Sequence, residues 1–177
     1  MNTVLYEAPT GYDSIAESLA FPLIMILFLS LVPQLMYNPE KTFRGKNSSA
    51  IKRIPRYTGF LLAGVFVSLG ACFILHGQLE MYRKVIVPYA HGQYEIAEGY
   101  VQNFVPMPRE GHSNEMFDIN GVHFEYSDNN IVVGYHHTKV RGGVIRGNGQ
   151  YLKVGYVYFN ETYGNIIVYI EELAPPE

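Results

Sequence analysis

The octapeptide Phe117-Asp118-Ile119-Asn120-Gly121-Val122-His123-Phe124 decides the fold of the C-terminal half. Asn120-Gly121 supplies the two positive φ angles of a type I′ turn, and apolar residues alternate with polar ones on both sides of it. A two-residue loop there pairs Ile119 with Val122 and Phe117 with Phe124 on one face. On the other face it sets Asp118 opposite His123.

Working outward, short runs rich in Val, Ile, Tyr and Phe recur between glycine-containing turns, and they predict further strands at 94–105, 131–140, 151–159 and 166–171. In 151–159, Leu152, Val154, Tyr156 and Tyr158 alternate with Lys153, Gly155 and Val157, so one face can be buried while the other carries a base. Five or six strands in so short a stretch predict a small β-barrel-like domain of the oligonucleotide/oligosaccharide-binding type over 94–173, with a proline-ended tail at 174–177. Closure would also remove exposed sheet edges.

The N-terminal half reads differently. Residues 18–38 and 57–79 are runs of 21 and 23 residues without a charge, each long enough to cross a hydrocarbon core of roughly 30 Å. The expected architecture is therefore membrane α plus β. A transmembrane region over 1–79 has helices at about 18–38 and 57–79 and a connector at 39–56, and a juxtamembrane stretch at 80–93 leads into the β domain. The first run lacks a small-x-small cleavage site and follows an acidic N-terminus, which favours a retained anchor over a secretory signal. Pro22 and Pro33 near its ends interrupt the helix or mark its limits. In the second run Gly64, Ser68, Ala71 and Cys72 fall on one helical face, a stripe of small side chains that predicts helix packing or, in an oligomer, a pore lining.

The 177-residue chain has a net charge of -3, unevenly spread. Six bases against Glu40 give the stretch 38–56 a net of +5, whereas residues 1–17 hold three acids and no base. Short basic loops stay in the cytoplasm, so the charge pattern places both termini outside. A sensor of a cytosolic signal would need the reverse.

Catalytic signatures are missing from the sequence: it holds no GxSxG, HExxH, phosphate-binding GxxxxGK[ST] or GxGxxG, so an enzyme is not expected. Asp118 opposite His123 is the one acid–base pair, and such a pair also serves as an ordinary cross-strand contact. The single cysteine, Cys72, supports neither a disulfide framework nor a thiolate metal site, and adjacent His136 and His137 point to opposite faces if on a strand. No cofactor or metal is expected.

One stretch stands apart. From 129 to 160 there is no acid, while Lys139, Arg141, Arg146 and Lys153 are interleaved with Tyr135, His136, His137, Tyr151, Tyr156 and Tyr158. Bases beside aromatic faces suit an anionic, stackable ligand, so Lys139, Arg141, Arg146, Tyr151, Lys153 and His137 are the candidate ligand-binding residues. Solvation of a hairpin that offsets acids elsewhere explains the same bases without a ligand.

The stretches EGYVQNFVPMP, GHSNEMFDINGVHFEYSD, GGVIRGNGQYLKVGYV and NIIVYIEE resemble a family of small bacterial β domains attached to short membrane anchors. In plan, two spans followed by a small β domain, the chain is similar to the channel subunits of the Hailong anti-phage defence systems. That resemblance implies a homo-oligomeric ion channel in the inner membrane, a tetramer embedded in membrane lipid. It further implies gating by a short oligodeoxynucleotide from a partner nucleotidyltransferase, and defence by depolarisation. The alternative from the charge pattern is a membrane-anchored periplasmic interaction module with neither pore nor ligand.

Overall fold

The computed structural model describes residues 2–10, 24, 50–111, 113–130 and 132–176, with side chains described from 65 onward within the long helix. The elements run β1 (Thr3–Glu7), α1 (Ala50–Met81), a π-helical turn (Tyr82–Ile86), α2 (Val87–Ala90), β2 (Glu95–Val105), β3 (Glu115–Ile119), β4 (Val122–Tyr126), a 3-10 turn (Lys139–Arg141), β5 (Tyr151–Asn160) and β6 (Gly164–Glu172). They divide into two compact units, Met1–Ser14 with Leu79–Glu177, and Ile15–Gln78.

Among the described residues one helix is long and apolar enough to cross a membrane, over Val65–Ala90 with mean hydropathy 1.3. It takes in most of the expected second span and continues through the stretch read as juxtamembrane. The expected first span, 18–38, lies outside the described residues apart from helical Ile24.

The β unit is a six-stranded antiparallel sheet in the order β1-β6-β5-β2-β3-β4. The hairpin has the register its sequence predicts: Ile119 pairs with Val122, Phe117 with Phe124 and Asp118 with His123 around Asn120 (φ 48°) and Gly121 (φ 81°). β2 is shared along its length. Glu95–Tyr100 pairs with β5, and Val101–Val105 pairs with β3 across a register shift at Asn103, whose φ is 51°. β4, at one end of the strand order, also contacts β6. There Asn165 Nδ2 donates to the His123 carbonyl at 2.9 Å, and Tyr135 N donates to the Ile167 carbonyl at 2.8 Å.

Inward-facing Val101, Phe117, Ile119, Phe124, Leu152, Val154 and Ile170 form the core with Tyr135 and Ile145 from the long β4–β5 connection. A second apolar cluster joins Met81, Val85, Ile86 and Tyr89 to Ile166 and Val168 of β6, so the last turns of the helical segment are embedded in the β unit. Val85 and Ile86 are wholly buried there.

Three sequence expectations change. The sheet takes in Thr3–Glu7, paired with β6, from the stretch assigned to the membrane region. Residues 131–140 form no strand among those described. Gly134 lies so close to Ile166 and to the Ile167 carbonyl that a Cβ has no room, and the backbone and hydroxyl of Thr138 both donate to the Asp128 carboxyl. The Thr138 N–H is thereby spent on a side chain instead of a ladder. Tyr158, expected on the buried face of β5, is exposed beyond the register shift at Gly155/Tyr156.

Candidate functional site

The acid-free stretch of sequence is not acid-free in space. Arg146 makes an ion pair with Glu172 of β6, and Tyr151 OH donates to Glu98 of β2 at 3.1 Å. Lys153 sits in register between Glu98 on one neighbouring strand and Glu171 on the other. Lys139 Nζ donates to the Arg146 carbonyl at 2.7 Å and lies 5.5 Å from the centre of the Phe104 ring. Exposed Arg141 ends the 3-10 turn, and exposed His137 stacks at a tilt against His136, ring centres 4.9 Å apart.

The fold brings two of the six candidates to one place. Arg146 and Tyr151 line an open cleft of about 530 Å³ with Tyr100, the loop Gly147–Gln150 and Glu172. Tyr100 and Tyr151 meet edge to face with ring centres 4.9 Å apart, and Gly149 holds a left-handed φ of 87°. Gln150 braces the loop: its Oε1 accepts from Arg146 N at 2.8 Å and its Nε2 donates to the Val144 carbonyl at 3.2 Å. Lys139 reaches this loop through a backbone carbonyl, while Arg141, Lys153 and His137 are not among the lining residues. No family model, no curated protein and no solved structure matches this chain. The site is therefore read on its own geometry.

Several aromatics of the same stretch serve the core. Tyr135 packs edge to face on Tyr6 and Tyr126 at 5.1 and 5.4 Å, and burial pushes the Tyr6 and Tyr135 hydroxyls up to about 12. Tyr156, also raised to about 12 by burial, donates to Glu95 at 2.7 Å.

Sequence reasoning missed Glu115, a carboxyl with no solvent exposure. Its Oε1 accepts from Tyr126 OH at 2.7 Å, both oxygens accept from Lys139 N at 3.1 and 3.0 Å, and Oε2 accepts from Met107 N at 3.4 Å. One side chain thus ties the β2–β3 connection, β4 and the 3-10 turn together. Burial, with the Glu115 contact second, raises the Tyr126 hydroxyl well above its ordinary range. The lone acidic residue opening a strand, followed by alternating apolar positions, was the available signal.

The expected Asp118–His123 pair forms, with Nδ1 to Oδ1 at 2.6 Å. Asn103 Nδ2 donates to the second oxygen at 2.7 Å. The Asn103 bond and then the His123 bond hold the Asp118 carboxyl below its usual range. Of the small-residue stripe, Ala71 is buried, Ser68 half-buried and Cys72 exposed, and the surroundings of Gly64 lie outside the described side chains. Among the described residues no group of three or more His, Cys, Asp or Glu could hold a metal ion.

Proposed function

We propose that the chain is a two-pass membrane protein whose β domain stands outside the cytoplasm as an anchored binding module. The single observation that carries this reading is the pairing of β1 with β6, Thr3 opposite Glu172 and Glu7 opposite Tyr169. It puts both ends of the chain in one folded unit, so the chain between Glu7 and β2 crosses the membrane an even number of times. If the apolar helix ahead of the turns embedded in the β unit supplies one crossing, the uncharged sequence at 18–38 supplies the return. The connector between them carries the net +5 and stays in the cytoplasm, which leaves the β domain on the opposite side.

The shared strand β2, the strand order and the approach of β4 to β6 support a small barrel of the oligonucleotide/oligosaccharide-binding type. Such a domain offers clefts between loops for ligands or partners. A reporter that works only outside the cytoplasm, fused after Glu177, is expected to be active, and activity from a cytoplasm-only reporter at that position refutes the reading.

The cleft of Tyr100, Tyr151 and Arg146 favours a second reading, the homo-oligomeric channel gated by a nucleotide or short oligonucleotide in anti-phage defence. A phosphate would displace Glu172 from Arg146 while a base stacks on the tyrosines. The ligand gates only if it binds the open and closed states with different affinity. Planar-bilayer conductance that responds to oligodeoxyadenylate, and loses the response in Arg146→Glu, would establish it. Conductance indifferent to that ligand, or an unchanged response in Arg146→Glu, discards this site.

A further inference from the structure

A second cleft, of about 280 Å³, opens between the β3–β4 hairpin and the β5–β6 turn. Its walls are three asparagine amides (Asn114, Asn130 and Asn165), His123, Glu125 and the turn residues that include Tyr163, with no lysine or arginine among them. From this arrangement we infer that the cleft binds a neutral, hydroxyl-rich ligand: a short segment of glycan.

The charge state of the walls argues first. An anion meets no cation there, and of the two lining carboxyls Glu125 is already engaged while Glu161 is open to solvent. Glu125 accepts from Asn114 Nδ2 at 2.6 Å, and Asp118, behind His123, is held by His123 and Asn103. Asn165 Nδ2 is spent on the His123 carbonyl at 2.9 Å. The Oδ1 atoms of Asn114 and Asn165 and the whole amide of Asn130 have no hydrogen-bond partner among the described residues. They offer the paired acceptors and donors that vicinal hydroxyls satisfy, since each amide carries both functions on one rigid plane.

The second argument is the aromatic platform. Asn160 Oδ1 accepts from Thr162 N at 3.0 Å and Tyr163 N at 2.9 Å, and Gly164 takes a left-handed φ of 59°. These bonds fix the turn that presents Tyr163, which is 37% exposed and packs on Phe159 with ring centres 5.9 Å apart. A partly exposed ring beside amides suits the apolar face of a pyranose and its equatorial hydroxyls together. The volume lies near the lower limit of about 300 Å³ for small-molecule pockets, which suits one or two sugar units of a longer strand.

The inference rests on the reading of the β domain as a binding module and gives it a ligand class. The test uses the full-length protein in detergent with four probes: N-acetylglucosamine tetramer, maltotetraose, spermidine and a short oligodeoxyadenylate, each titrated while ligand-detected NMR saturation transfer is recorded. Saturable binding of at least one oligosaccharide is expected. Its affinity should fall about tenfold or more in Tyr163→Ala, as loss of an aromatic contact implies. It should survive in Tyr163→Phe, which keeps the ring. Binding of spermidine or oligodeoxyadenylate in place of the sugars overturns the inference, as does no saturable sugar binding or unchanged affinity in Tyr163→Ala. Because purified protein is used, failure here leaves the sidedness of the domain to its own reporter test.

Discussion

Replacing Glu115 with alanine should be among the most costly single changes in the β domain. The carboxyl is fully buried and accepts hydrogen bonds from Tyr126 OH, Lys139 N and Met107 N. Truncation strands two buried donors and the part-buried Lys139 N–H at once, each buried one costing about 1–3 kcal/mol when unsatisfied, offset where water enters the space left behind. A net loss of about 3–5 kcal/mol is expected, against a total stability of about 5–15 kcal/mol for a typical domain. Denaturant unfolding of the full-length protein, followed by near-ultraviolet circular dichroism of its tyrosines, reads the loss directly. Tyr126→Phe alone removes one bond, and a double-mutant cycle should show a coupling of about 1–2 kcal/mol, because in Glu115→Ala the hydroxyl has already lost its acceptor. A cost below about 1 kcal/mol, or strictly additive effects, would refute the idea that this carboxyl organises the three segments.

Gly134→Ala places a methyl group against Ile166 and the Ile167 carbonyl, where only a backbone shift relieves the overlap, so a destabilisation of about 1–3 kcal/mol is expected by the same unfolding assay. Gly92→Ala, with open space around the new Cβ, is the contrasting site, its cost set by a φ of 72° rather than by packing. Asn103→Ala removes the leading cause of the lowered Asp118 pKa, so carbon-detected NMR titration should show that pKa moving up toward its ordinary value. The sign follows from linkage: a carboxyl lowered in the folded state contributes stability above its unfolded pKa and loses it as pH falls through the folded pKa. The acid limb of the stability profile should therefore flatten in Asn103→Ala.

The parts of the fold that were legible in the sequence are the local ones. Asn120-Gly121 with flanking alternation specifies the hairpin and its register without reference to anything distant, and 151–159 and 166–171 announce strands by the same alternation. β1 was not legible, because its five residues gain their strand character from β6, more than 160 positions away. The segment 131–140 has strand-like composition, yet the close approach at Gly134 and the Asp128–Thr138 bonds give its backbone other partners. The basic stretch shows the same limit for the site. A window without acids in sequence meets Glu98, Glu115, Glu171 and Glu172 once folded, since antiparallel pairing brings in residues from outside any window. The second cleft was invisible for a related reason: its walls come from four separate segments, none of which carries a recognisable motif.

The central claim is that the N-terminal strand and the β domain share one side of the membrane, opposite the basic connector. With Cys72 replaced by serine, single cysteines at Thr10, Asn47 and Thr162 can be challenged in intact spheroplasts with a thiol reagent that does not cross membranes. Labelling of Thr10→Cys and Thr162→Cys with protection of Asn47→Cys is the predicted pattern. Labelling of Asn47→Cys with protection of the other two, or labelling that separates Thr10→Cys from Thr162→Cys, would contradict the account.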